Sequence, residues 1–334
     1  MKFPKIDRFV LALAAAVILA IIWPEPGRTH GMLQWQWITT YGICGVFFLY
    51  GLTLKPERMR EGLMCWKAHL VIVFTTFGLF PLVVLLGLAL APDAMPEAAK
   101  VGFFYIAALP STVSSSVAMV SLARGNIPVA IFNATLSSLL GVFLTPTLMA
   151  WYLKTAGTPI DLRPTIIKIV LLVLLPIVVG QVARRWLSDW AQRHNSFIKQ
   201  ADRAIILAIV YGAFCDSVVE GVWVKHDVLV VVKIAVGTVL LFTVIYALML
   251  LITKLFKFET KDRIAVLFCG SKKSLATGVP LAPLIFAGRG DIGLTILPIM
   301  LFHFFQLLIV AFLAARYGER DELKAAAVAH KKEA

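Results

Sequence analysis

The sequence predicts an all-α polytopic membrane protein with ten transmembrane helices, arranged as two inverted five-helix repeats in which helices 4 and 9 are broken. The first reason is composition: of the 334 residues, 60% are hydrophobic and 15% are charged, whereas about 25% of an ordinary soluble domain is charged. The second reason is a series of apolar runs of roughly the length that crosses a bilayer as a helix. These runs are residues 9–23, 38–54, 70–91, 101–122, 127–152, 165–183, 203–219, 228–253, 264–286 and 291–315.

The basic residues predict how these helices are oriented. Of the 32 Lys and Arg residues, 22 fall in alternate segments on the side of the N-terminus, six in the opposite loops and four inside apolar runs. Because cytoplasmic loops carry the excess of Lys and Arg, both termini are expected in the cytoplasm and the protein in the plasma (bacterial inner) membrane. The net charge of +13 is spread over short runs, which indicates a lipid bilayer as partner and no nucleic acid.

The two halves of the chain share a short motif. Arg124-Gly125-Asn126 and Arg289-Gly290-Asp291 lie 165 residues apart, and a long apolar run follows each. Five helices per half force the halves into opposite orientations, which is the inverted-repeat architecture of secondary transporters. In these proteins the binding site forms where helices break near the middle of the membrane.

An interrupted apolar run precedes the motif in both halves. In residues 103–126, Pro110 is followed by a run of serine and threonine, and in residues 265–288 the sequence Gly270-Ser271-Lys272-Lys273-Ser274 interrupts the run. Hydroxyl groups beside a break can complete the shell of an ion or anion, although Ser and Thr also serve helix packing in membranes.

The lysine pair is the sharpest signal in the sequence. A charged side chain at mid-bilayer costs at least ~2.5 kcal/mol, so Lys272 and Lys273 are expected to have a partner or a function. Lys168 and Lys233 are nearer to span ends and are expected to reach the interface. Asp216 is a carboxylate inside an apolar run, where a charge relay and simple exposure near the outer end remain alternatives.

Several functions are excluded by missing motifs. The sequence contains no GxxxxGK[ST], HExxH or GxSxG motif, so we expect neither an enzyme nor an organic cofactor. The four cysteines, at no metal-like spacing, are interpreted as reduced packing residues, and no metal site is predicted. His303 and Gln306 lie one turn apart on the last helix and are candidates for lining a cavity.

The stretches LPSTVSSSVAMVSLARGN and IFNATLSSLLGVFLTP resemble helices 4 and 5 of the bile acid:sodium symporter family. YGAFCDS and FCGSKKSLATGVPLAPLIFAG resemble the branch of the seventh member of vertebrate solute carrier family ten and its bacterial symporters. The resemblance implies that the two broken helices cross, and that alternating access is elevator-like. It also implies a single transporter domain with a panel (about 9–54 and 165–219), a core (about 70–152 and 228–315) and a cytoplasmic tail (316–334).

The sodium ligands of that family are poorly matched here. The Ser-Asn pair after the helix 4 break falls at Ser115 and Ser116, and a helix 3 Gln falls at Thr76. The shared Glu of the helix 9 break falls near Phe268 or Cys269, and the residues after it include Lys272 and Lys273. A fixed ammonium in place of sodium would leave an anion site that needs no sodium.

The sequence therefore predicts a secondary active transporter of a small organic anion, and it disfavours sodium as the coupling ion. A sodium-coupled symporter of the bile-acid-transporter type and a non-transporting regulator with the same fold remain the alternatives, and the substrate and oligomeric state stay open. Asp216 is the candidate charge relay. The predicted substrate- or ion-binding residues are Thr76, Ser114, Ser115, Ser116, Asn133, Gly270, Ser271, Lys272, Lys273, Ser274, His303 and Gln306.

Overall fold

All regular secondary structure in the described part of the chain is helical. The computed structural model describes residues 8–28, 31, 33–53, 65–155, 167–219, 227–287 and 291–333, so Arg289 and Gly290 of the second motif lie outside the described residues. The helices are α1 (Arg8–Ile22), α2 (Trp35–Thr53), α3 (Trp66–Leu90), α4 (Glu97–Ala108), α5 (Ser114–Leu122), α6 (Ile127–Thr155), α7 (Ile167–Arg193), α8 (Asn195–Val219), α9 (Val228–Leu255), α10 (Thr260–Gly270), α11 (Leu275–Ile285) and α12 (Ile292–Glu333).

Among the described residues, five helices are long and apolar enough to cross a membrane: α3, α6, α7, α9 and the part of α12 up to Glu319. Large apolar side chains on the outer faces of these helices are exposed, including Leu82, Leu86, Val236 and Leu240. Exposed apolar rows of this kind are stable in lipid rather than in water.

Two pairs of short helices stand where the sequence predicts interrupted spans. Helices α4 and α5 have 12 and 9 residues, and α10 and α11 have 11 each. At 1.5 Å per residue, none reaches across a hydrocarbon layer of about 30 Å alone. The chain between α4 and α5 contains Pro110, which has no N–H and cannot continue the helix.

Helices α2 and α7 pack closely against each other. Gly51 of α2 and Gly180 of α7 let the two backbones touch, since a side chain at either position would meet backbone atoms of the other helix. Helix α8 packs on α1 and α2: the Tyr211 hydroxyl donates to the Trp23 carbonyl at 2.6 Å, and the Trp35 indole donates to the Ala208 carbonyl at 2.9 Å. This packing ties α1, α2, α7 and α8 together.

The two breaks lie at the centre of the remaining helices. Residues 101–108 of α4 and 264–270 of α10 are all buried, as are Ser111, Thr112 and residues 271–274. Polar backbone in such a place needs partners from within the protein, because lipid offers none.

Candidate functional site

The two breaks bond to each other directly, and this junction of residues 109–116 with residues 269–274 is named the crossing. The amide of Ser274 donates to the Pro110 carbonyl at 2.8 Å, and the Ser111 hydroxyl donates to the Cys269 carbonyl at 2.5 Å. Each break thus supplies a donor to a carbonyl that the other helix end leaves without an intrahelical partner.

Lysine 273 satisfies most of the remaining carbonyls at the end of α4. Its ammonium donates to the carbonyls of Ala107 and Leu109, each at 2.7 Å. The carbonyl between them, at Ala108, accepts from the Thr145 hydroxyl of α6 at 2.7 Å. The C-terminal end of a helix carries partial negative charge, so a cation there is favourable.

The third acceptor of this ammonium comes from α3. Residues Thr75–Leu79 form a π-turn, in which the amide of Phe80 bonds to the Thr75 carbonyl and bypasses Thr76. The freed Thr76 carbonyl accepts from Lys273 Nζ at 2.6 Å. Pro81 follows immediately and supplies no N–H, which favours such an irregular turn.

The geometry around Lys273 suits a charged group. Three carbonyls match the three N–H donors of an ammonium, whereas a neutral amine has two donors. The ammonium also lies 4.2 Å from the centre of the Phe80 ring, a distance at which the ring face attracts a cation. Lysine 273 is 0% exposed, and within the described part of the chain it forms no salt bridge.

Gln306 on α12 holds the backbone of the same lysine. Its side-chain oxygen accepts from the Lys273 amide at 2.9 Å, and its side-chain nitrogen donates to the Lys273 carbonyl at 2.8 Å. The Gln306 nitrogen also lies 2.8 Å from Nδ1 of His303, one turn away. The predicted pair on α12 therefore supports the break.

The described partner of Lys272 lies at the start of α5 rather than at the end of α4. Lys272 is also 0% exposed, and its ammonium lies 3.4 Å from the Ser115 hydroxyl at the start of α5. Ser115 donates to the Thr112 hydroxyl at 2.8 Å, and Thr112 shares a 2.8 Å hydrogen bond with Ser116. The structure thus brings Lys272, Ser115 and Ser116 together.

Three further candidates shape the second break. Gly270 ends α10 where a side chain would collide with Met249 of α9. The Ser271 hydroxyl donates to the Leu267 carbonyl at 2.7 Å, and the Ser274 hydroxyl caps α11 by accepting from the amide of Thr277 at 3.2 Å. These residues terminate one half-helix and begin the next.

Two predicted residues, Asn133 and Asp216, are not among those whose described hydrogen bonds join the two breaks. Asn133 on α6 lies 2.6 Å from Nδ1 of His69 and donates to the Val129 carbonyl at 3.0 Å. Asp216 is near the end of α8, beside Ser217, whose hydroxyl accepts from the Gly293 amide at the start of α12. The side chain of Ser114 lies outside the described residues.

Sequence reasoning missed that the partners of Lys273 are backbone atoms. Thr76 is predicted as the position where a helix 3 Gln of the resembled family falls, but its hydroxyl donates to the Ile72 carbonyl at 2.7 Å and it is its backbone carbonyl that accepts from the lysine. Ser137 and Thr145 of α6 were not singled out, although Ser137 accepts from the Ser111 amide at 2.9 Å. The available signals were Pro81 and Pro110, since a proline removes an amide from the helix ladder.

A crossing of two broken helices, buried among helices of membrane length, is typical of secondary transporters. The comparisons with known proteins agree with this class. The model of the SBF-like CPA transporter family matches residues 7–319, and the chain belongs to this family. The predicted relationship to bile acid:sodium symporters is therefore confirmed, and the protein is an integral membrane transporter rather than an enzyme.

Named relatives cover nearly the whole chain. An uncharacterized protein of Pseudomonas aeruginosa is 41% identical over 97% of this chain and 96% of its own length. "Putative symporter YfeH" of Escherichia coli is 36% identical, over 96% and 95%. Sodium/bile acid cotransporter 7 of Rattus norvegicus is 28% identical, over 90% and 89%. These names favour a transporter over a non-transporting regulator.

Proposed function

We propose that this protein is a secondary active transporter of a small organic anion, and that the Lys273 ammonium stands where a coupling sodium ion would otherwise bind. The observation that carries the proposal is the set of three carbonyls, from Thr76, Ala107 and Leu109, around one buried ammonium. Oxygen ligands from a helix break are what such transporters offer to a sodium ion.

Charge balance supports an anionic substrate. The described part of the crossing contains two buried lysines, neither of which forms a salt bridge there. The position of the family's acidic helix 9 residue falls near Phe268 or Cys269, which carry no charge at neutral pH. An anion entering the crossing would offset the cost of burying this positive charge.

The proposal includes the finer architecture. We infer ten spans in two inverted five-helix repeats, with α4–α5 and α10–α11 as the broken fourth and ninth spans. The contact between Gly51 and Gly180 supports a panel of α1, α2, α7 and α8, against which the remaining helices would move as the core. With both termini cytoplasmic in the bacterial inner membrane, this movement would give alternating access to the crossing.

The other candidates have subordinate roles in the proposal. Ser271, Ser274 and Gly270 shape the second break, while Gln306 and His303 support it. Asn133 and the charge relay at Asp216 stay predictions.

Sodium-coupled symport is the second candidate, because relatives are named sodium/bile acid cotransporters. Thermal unfolding of the purified protein in matched NaCl, KCl and N-methyl-D-glucamine chloride separates the two. A fixed ammonium predicts equal midpoints in the three salts, since no sodium is bound. Uptake of labelled taurocholate and a panel of small organic anions into proteoliposomes, with and without sodium, provides the transport measurement. A sodium-specific rise in midpoint or in uptake would contradict the proposal.

A further inference from the structure

Two consecutive lysines at the crossing have opposite environments. The ammonium of Lys273 has three hydrogen bonds of 2.6–2.7 Å to carbonyls, so its donors are used up within the protein. The ammonium of Lys272 has one partner among the described residues, the Ser115 hydroxyl, and that contact is long at 3.4 Å. Both side chains are 0% exposed.

We propose that Lys272, together with the hydroxyls of Thr112, Ser115 and Ser116, forms the subsite that binds an oxyanion group of the substrate: a carboxylate, a sulfonate or a phosphate. Lys273 takes no part in contacting the substrate. This inference rests on the proposed function, because it names the group that the transported anion presents to the crossing.

Hydrogen-bond capacity is the first argument. An ammonium has three donors, and a buried donor without an acceptor is costly. One hydroxyl at 3.4 Å is a weak partner for a charged group, whose hydrogen bonds are normally shorter than about 2.9 Å. An oxyanion beside Lys272 would provide the missing acceptors at the charge-assisted distance.

The hydroxyl chain is the second argument. Thr112, Ser115 and Ser116 are linked by two hydrogen bonds of 2.8 Å and lie where α5 begins. A hydroxyl proton can rotate towards an incoming anion. Because the three hydroxyls are hydrogen-bonded to one another, rotation of one allows the others to reorient as well. The first amides of α5 have no intrahelical acceptors and carry the positive end of the helix dipole, so they favour the same charge.

The same features exclude other ligands. A cation would meet the ammonium of Lys272, whose one described partner is the Ser115 hydroxyl, and the positive end of α5. A neutral group of equal size would leave the charge of Lys272 uncompensated in a buried place. The subsite therefore selects for the negatively charged group, and other parts of the protein contact the remainder of the substrate.

Small anions test the subsite without knowledge of the whole substrate. The probes are formate, acetate, methanesulfonate and inorganic phosphate, compared at equal ionic strength by the midpoint of thermal unfolding. A probe at ten times its dissociation constant is expected to raise the parental midpoint by about 2 °C. Lys272→Met is expected to lose this rise. Lys233→Met is the matched control, because Lys233 is exposed in α9, and it should retain the parental response.

Two results would overturn the inference: none of the four probes raises the parental midpoint, or Lys272→Met responds as the parent does. If Lys272→Met does not fold, Ser115→Ala replaces it and must show a smaller rise than the parent. These outcomes are independent of the sodium comparison, which alone decides whether Lys273 stands in for the ion. A failure of the subsite and a failure of the proposed function are therefore distinguishable.

Discussion

The side chain of Gln306 forms hydrogen bonds with both backbone polar groups of Lys273. Its oxygen accepts from the Lys273 amide at 2.9 Å, and its nitrogen donates to the Lys273 carbonyl at 2.8 Å. Lys273, which lies between α10 and α11, is thereby attached to α12 through both its amide and its carbonyl. This fixes the position from which the Lys273 side chain extends to the three carbonyls.

Replacing Gln306 by Met is expected to destabilise the protein. The substitution keeps an apolar stem of similar length but leaves a buried amide and a buried carbonyl without partners, at about 1–3 kcal/mol each. The midpoint of thermal unfolding should fall by several degrees. Gln200→Met is the control, because Gln200 is exposed and has one long contact with Ser196 at 3.5 Å. Equal midpoints for the two variants would show that the Gln306 side chain does not stabilise the second break.

Lys273→Met should destabilise more than Lys272→Met. Removing the ammonium leaves three buried carbonyls without donors, at about 1 kcal/mol or more each, and relief from burying the charge offsets only part of this loss. Lys272→Met removes one long hydrogen bond and the cost of a buried charge, so it should unfold at or above the parental midpoint. Differential scanning fluorimetry of both variants, beside Lys233→Met, measures the difference. A Lys273→Met midpoint at or above that of Lys272→Met would contradict the assignment of the three carbonyls.

The sequence predicts the positions of the breaks because their causes are local. Pro110 and the serine and threonine run around it, like Gly270 and the two lysines, are visible in the chain itself. The partners of each lysine are not visible, because carbonyls occur at every residue and only the fold determines which are free. The Thr76 carbonyl is free because the π-turn of α3 bypasses it, and its selection by Lys273 depends on how α3 packs beside the end of α4.

Alanine substitutions at two glycines, one in the contact between α2 and α7 and one in open space on α3, should have different effects on stability. Gly51→Ala places a methyl group against the Ile177 backbone, which cannot move aside, so the variant should be destabilised. Gly87→Ala adds the same methyl group in α3, where nothing lies within 4 Å, and should be neutral or stabilising by up to ~1 kcal/mol. Thermal unfolding of the two variants, purified in parallel, gives the comparison. A Gly51→Ala protein as stable as Gly87→Ala would mean that α2 and α7 are further apart.

The orientation of the chain is tested by reporter fusions. A fusion after Lys154, at the end of α6, should report the periplasmic side, and a fusion after Lys257, beyond α9, should report the cytoplasm. The reason is the bias of basic residues, 22 on the predicted inner side against six outside. Phosphatase and fluorescent-protein fusions at both positions provide complementary signals. A reversed result at either position would exclude ten spans with both termini inside.

A mobile ion occupies its binding site only as often as its concentration allows, whereas the cation at the end of α4 is carried by the chain itself. The carbonyls of Thr76, Ala107 and Leu109 therefore keep their hydrogen-bond donor at low and at high salt concentration. We therefore expect the junction of α3 with α4 to stay assembled whether or not sodium is present outside the cell.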